Sequence, residues 1–209
     1  MRYKSWSIII LMIVLLTGCV EKTDEEIFYR AQKKIVSLDT YRAKAKIRVY
    51  GNKAPEEYFV QQWFKAPDKY RTEVEEPEDV KGKITIYNGK KAWICQPRIG
   101  QEWLMEDFSN SVEQKMFLGY FIDNFLNTEN PRLTRETFED EDYILIETDI
   151  PGNHPYFNKK RLWFDIKKYY PHKLEVLDKD DNIRIDVKYV DFIYNEDIDD
   201  EIFTIKGNL

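Results

Sequence analysis

Apolar and polar positions fall into two alternating regimes along this chain. Thr23-Asp24-Glu25-Glu26 has the form of a capping box, and Ile27, Ala31, Ile35 and Leu38 follow at spacings of three and four, predicting an amphipathic helix over about 24–38. After Asp39 the period becomes two. Tyr41, Ala43, Ala45, Ile47 and Val49 alternate with Arg42, Lys44, Lys46 and Arg48, which predicts a half-buried strand. Residues 57–65, 68–75, 83–88 and 91–96 continue the pattern, with Asn88-Gly89 as a hairpin signal, so this half reads as an antiparallel meander.

From about 107 to 127 the helical period returns, with Met116, Phe117, Tyr120, Phe121 and Phe125 among its apolar positions; a helix this apolar must be enclosed, as a lid over something. Strands resume at 142–150, 161–167, 172–178 and 182–194, with turns predicted at Pro151-Gly152-Asn153 and Asp178 to Asn182. Ile183, Ile185, Val187 and Tyr189 share one parity and Val190, Phe192 and Tyr194 the other, which places a bulge near Tyr189. The expected fold is α+β: a large, strongly curved antiparallel sheet, a half-barrel, with both helices on its concave face.

Composition narrows the class. The chain has 209 residues, 43% hydrophobic and 33% charged, with 12 Phe, 14 Tyr and 5 Trp, which excludes a disordered or collagen-like polymer. The N-terminus reads as an address. Arg2 and Lys4 precede an apolar run from Trp6 to Leu16 that is shorter than the about 20 residues a spanning helix needs. Leu16-Thr17-Gly18-Cys19 then forms a lipobox, so residues 1–18 are expected to be a lipoprotein signal peptide, recognised at Leu16, Thr17 and Gly18, and residues 19–209 a single domain tethered to the extracytoplasmic face of the cell membrane through a lipidated Cys19. The formal net charge is −6, and removing Arg2 and Lys4 makes the remainder more acidic still, which argues against nucleic-acid binding.

Catalytic constellations are missing from the pattern. There is no Gly-x-Ser-x-Gly elbow, no phosphate-binding loop and no His-Glu-x-x-His. His154 and His172 are isolated beside prolines, and the acidic runs at 139–142, 75–79 and 196–201 read as solvated loops, so neither a metal nor a cofactor is called for. Aromatic residues are the stronger candidates. Phe59 and Trp63 share one face of a strand whose other face is apolar too, Trp93 is out of phase with Ala92 and Ile94, and Trp103 is grouped with it as a further candidate. Two readings fit these rings: cover by the 107–127 helix or a loop, and an exposed partner or ligand surface.

Several landmarks in order resemble a known family. Leu38-Asp39-Thr40-Tyr41, Leu162-Trp163-Phe164-Asp165, Pro171, Lys173-Leu174-Glu175, Asp178 to Asp181, Tyr189, Asp191-Phe192, Asn195 and Ile198 to Phe203 resemble the LolA/LolB-like lipoprotein carriers. Within that fold, the lipobox and the run from Tyr58 to Tyr70 are most similar to the GerS-type germination lipoproteins of spore-forming anaerobes. The resemblance implies a protein without catalysis of its own that binds and licenses a zinc-dependent N-acetylmuramoyl-L-alanine amidase acting on the spore cortex, and a strand-exchanged homodimer. The alternative it leaves open is a carrier or acceptor of lipid or lipoprotein acyl chains. A carrier of the LolA type is soluble and periplasmic, however, whereas this chain has its own lipobox.

Overall fold

A computed structural model describes residues 23–109, 111–129 and 131–205; the expected signal peptide, lipobox and lipidated Cys19 lie outside the described residues. Helix α1 (Asp24–Val36) begins where the capping box places it, with Thr23 Oγ1 accepting from the Glu26 amide at 3.3 Å. Asp24, Glu25 and Glu26 in its first turn and Lys33 and Lys34 in its last complement the helix dipole, and Ile27, Ala31 and Ile35 are buried.

The first meander comprises β1 (Thr40–Val49), β2 (Glu56–Lys65), β3 (Lys69–Glu76), β4 (Ile84–Tyr87), β5 (Ala92–Gln96) and β6 (Gln101–Met105). Helix α2 (Leu118–Asn127) follows, then a second meander of β7 (Arg132–Phe138), β8 (Glu141–His154), β9 (Phe157–Asp165), β10 (Tyr170–Leu177) and β11 (Ile183–Tyr194). All eleven strands form one open sheet in the order β6-β5-β4-β3-β2-β1-β11-β10-β9-β8-β7. The joint between the meanders is the antiparallel pair β1–β11, from Tyr41 opposite Tyr194 to Val49 opposite Ile185. The bulge lies in that joint: Lys44 opposes Asp191 and Ala45 opposes Tyr189, so Val190 is the extra residue and the parity switch follows from it.

Four expectations need correction. The 107–127 helix is α-helical only over α2, after a short 3-10 turn at Gln114–Met116; residues 107–109 and 111–113 are not helical. Phe117, the residue before α2, offers no side-chain cap, and the first amide is satisfied instead by Tyr41 Oη, which accepts from Leu118 N at 3.2 Å. Pro151-Gly152-Asn153 is not a turn: β8 runs through it as a register shift with Gly152 at φ 101°, and the chain reverses at Pro155-Tyr156, between the paired residues His154 and Phe157. The edge strands β6 and β7 are additional. In the β4–β5 hairpin the central pair is Gly89-Lys90, with Asn88 N donating to Lys91 O and Asn88 Oδ1 accepting from the amides of Lys90 and Lys91.

One face of the sheet carries the core. Ile47, Val187, Leu174, Leu162 and Ile146 oppose one another across β1, β11, β10, β9 and β8, and all are buried against the helices. A second row, Tyr41, Phe64, Tyr70 and Tyr87, is roofed by Phe117 and α2, with Tyr41 stacked on Phe64 at 5.5 Å and Tyr70 4.4 Å from Phe117 between ring centres. Helix α2 touches both β8 and Phe64 of β2, which requires the sheet to curve around it. Gly119 makes this approach; a Cβ there would overlap the Phe64 ring. The opposite face over the β7–β2 half is a charge ladder in which Arg132, Glu147, Arg161, Glu175, Asp186, Arg48 and Glu57 are successive cross-strand neighbours. Glu175 beside Asp186 is its one like-charged step, and burial, then that neighbour, raises the Asp186 carboxyl above its ordinary value against the pull of Lys173 and Arg48.

Two outcomes follow from this packing. Gly119→Ala should lower stability by about 2–3 kcal/mol through forced displacement of Phe64, and Gly119→Ala with Phe64→Leu should recover part of that loss in a denaturant-unfolding cycle. Because the folded-state pKa of Asp186 is raised, its ionised form is disfavoured in the fold above that pKa, and the penalty disappears below the ordinary aspartate range of about pH 3.9. Asp186→Asn should therefore raise the thermal midpoint at pH 7, with the gap closing as the pH falls toward 4.

Candidate functional site

Aromatic residues singled out by pattern divide between the two faces. Arg42, Trp63, Arg71, Ile86, Trp93 and Leu104 are successive neighbours across β1 to β6 on the outer face, with the Arg71 guanidinium 5.6 Å from the Trp63 ring centre. What covers this row is the C-terminal segment 196–205, not α2. Ile198 and Phe203 are buried there with Ile86, and Trp63, Trp93, Ile84 and Ile202 pack half-buried around them.

Acidic residues of that segment pin it to the sheet. Glu196 pairs with Arg42 at 2.8 Å, and Asp200 with Lys65 and Lys69 at 3.0 and 3.2 Å, while Lys65 Nζ also donates to Ile198 O at 3.2 Å. Hydrogen bonds from these cations hold both carboxyls below their ordinary range. The run 196–201, read from sequence as a solvated loop, thus supplies two ion-pair anchors. A shallow groove of about 480 Å³ remains between Trp63, Trp93, Arg71 and Ile202.

Phe59 and Trp103 lie apart from this cluster. Phe59 is half-buried four residues before Trp63 on β2, opposite Lys46 and Glu76, with Lys44 Nζ 5.8 Å from its ring centre. Trp103 opposes Ile94 on the edge strand β6 and is 42% exposed. All five residues of β6 are exposed, and Leu104 and Met105 add apolar surface beside Trp103 along one free edge of the sheet.

On the inner face the apolar helix residues are mostly structural. Phe117, Phe121 and Phe125 are buried in the core, and Tyr120 Oη donates to Asp68 O at 2.8 Å, tying α2 to the β2–β3 turn. Met116 instead borders an open cavity of about 460 Å³ lined by β1–β5 and by Phe108, Ser111, Val112 and Glu113. A second cavity of about 490 Å³, beyond α2, is bordered by Lys115, Asp123, His154 and Lys160. Lys160 is buried within the row Val176, Lys160, Thr148; burial and the nearby Lys115 push its amine down to about 7. Sequence reading missed it, since one lysine in the alternating run Lys159-Lys160-Arg161 looks like its neighbours. His172 is half-buried, with its pKa lowered chiefly by burial, and His154 is exposed; among the described residues no three His, Cys, Asp or Glu side chains converge as metal ligands. Cys95 is half-buried beside Glu102 and is a free thiol, its pKa raised by burial.

Comparison with known proteins places this arrangement. The model of the family "Sporulation protein YdcC-like" matches residues 3–203. The sporulation protein YdcC of Bacillus subtilis is 24% identical over 205 residues, covering 96% of this chain; the chain spans 59% of that relative's length. Among solved structures, that of the CwlD amidase from Clostridioides difficile in complex with the GerS lipoprotein is matched at 34% identity and TM-score 0.50, over 85% of this chain and 99% of the matched one. A LolA superfamily protein from Nitrosomonas europaea is similar at 20% identity and TM-score 0.47, over 88% of this chain and 99% of that one. With the family model covering nearly its whole length, this chain belongs to the YdcC-like sporulation proteins.

Proposed function

We propose that this chain is an extracytoplasmic lipoprotein, anchored in the cell membrane through Cys19, which has no catalysis of its own and binds and licenses a cell-wall N-acetylmuramoyl-L-alanine amidase during spore cortex modification. One observation carries the reading: the 34% identity, over nearly all of the matched chain, to the GerS structure in which that lipoprotein is complexed with the CwlD amidase. Family membership supports the sporulation context.

Physical features of the sheet favour β6 as the contact. Its outer backbone groups are unpaired within the sheet, and Trp103, Leu104 and Met105 are exposed along it, whereas Trp63 and Trp93 are occupied in holding the C-terminal segment. Phe59, on the outer face of β2, is separated from this edge by β3, β4 and β5 and stands apart from the contact. The same free edge is where a strand-exchanged homodimer would form. An acyl-chain carrier is the second reading, and the inner cavity of about 460 Å³ is the observation in its favour.

The test is direct. A soluble Cys19→Ala form mixed with the amidase of the same organism should elute as a stable complex, and Trp103→Ala should weaken it at least about tenfold by calorimetry while leaving the thermal midpoint unchanged. Absence of any complex would overturn the reading. In cells, the wild-type chain should fractionate with membranes and label with a palmitate analogue, and Cys19→Ala should do neither.

A further inference from the structure

The inner cavity has an inverted polarity. Along β2, successive inward positions from the roofed end are Phe64, Gln62, Val60 and Tyr58. Phe64 belongs to the aromatic row under α2. Gln62 belongs to the next row, in which Gln62, Thr72 and Thr85 oppose one another across β2, β3 and β4. Val60 and Val74 form the row after that, and Ile47, Val80, Phe108 and Met116 complete the apolar walls. The floor beside the roofed end is therefore polar, and the walls above it are mainly apolar, with Glu56, Lys83 and Ser111 among them.

That floor is not satisfied from within the protein. Gln62 is 0% exposed, yet neither its amide oxygen nor its amide nitrogen has a hydrogen-bond partner among the described residues, whereas the buried Thr72 and Thr85 hydroxyls beside it are directed at Glu113. Its neighbour Gln61, by contrast, donates to Ala43 O at 3.2 Å. A buried amide left unpaired destabilises the fold by about 1–3 kcal/mol, so the position asks for a ligand's hydrogen bonds or for a different side chain. Glu113 faces the same space, its carboxyl raised above the ordinary value chiefly by burial and only partly drawn back by Lys83, Thr72 and Thr85.

We infer that this cavity is a binding site for a small amphiphile that inserts its polar end first, that end being an uncharged group which both donates and accepts hydrogen bonds, such as an amide or a hydroxyl. Gln62 supplies a donor and an acceptor at the floor, and the Thr72 and Thr85 hydroxyls supply either. Neither sign of charge is favoured over a neutral head: a carboxylate would meet Glu113, an ammonium would meet Lys83 on the same lining, and either would lose its water against Val60, Val74 and Phe108. A simple acyl tail would leave Gln62 unpaired. The volume of about 460 Å³ lies within the about 300–1,000 Å³ usual for small-molecule sites. This assignment is independent of the amidase contact at β6.

The test uses the soluble Cys19→Ala chain with n-octanamide and n-octanoate as probes, titrated by calorimetry. Octanamide should bind at least tenfold more tightly than octanoate. Gln62→Leu should lower octanamide affinity at least tenfold, leave octanoate unchanged, and hold or raise the thermal midpoint, because it removes an unpaired amide. Thr72→Val, which keeps the shape, should weaken octanamide in the same direction. Equal affinities for the two probes, octanamide binding insensitive to Gln62→Leu and Thr72→Val, or no binding of either probe would each overturn the assignment.

Discussion

Pairing of β1 with β11 is the constraint on which the rest of this structure depends. Each meander is local in sequence and can be built from hairpins, but neither alone makes a surface large enough to enclose α2. Only when the first and last strands pair does the row Ile47, Val187, Leu174, Leu162, Ile146 become continuous, and only then can α2 touch β2 and β8 at once. Asn195, just past β11, secures the same joint: its Oδ1 accepts from the amides of Asp39 and Thr40 and its Nδ2 donates to Ser37 O, tying the end of α1 and the start of β1 to the last strand.

From that joint the two faces diverge. The inner face is apolar enough to hold both helices, except where Lys160 and the Gln62 row break the pattern, and each of those breaks borders a cavity. The outer face is a charge ladder on one side and an aromatic row on the other, with the C-terminal segment clamped over the aromatic row by Arg42, Lys65 and Lys69. Surface ion pairs of this kind contribute about 0–1 kcal/mol each, so burial of Ile198 and Phe203 holds the segment and the charges set its position. What is left unpaired is the edge.

Legibility in the sequence followed burial. Strands with a neighbour on each side, such as β1, alternate cleanly because one face is core, and the Val190 bulge announced itself as a parity change. The edge strands were illegible for the same reason: all of β6 is exposed, and β7 has Leu133 as its one inward apolar residue with a buried partner, so neither needs alternation. The stretch before α2 looked helical because Val112 and Met116 are spaced like a helix face, yet Val112 borders a cavity in irregular backbone and only a 3-10 turn at Gln114–Met116 precedes α2. Trp63 and Trp93 were recognisable as out of phase, but that a segment more than 100 residues away covers them is a tertiary fact with no local trace. Gln62 carried no signal at all, since a glutamine in Gln61-Gln62 shows neither which of the two points inward nor that it is left unpaired.

The amidase contact proposed for this chain lies at the β6 edge of the sheet, and hydrogen exchange of the soluble chain with and without the amidase reads that edge amide by amide. The account predicts slowed exchange concentrated in residues 101–105, with the β1–β11 joint equally protected in both states. Unchanged exchange at 101–105 in a formed complex, or protection confined to the β7 edge, would contradict it.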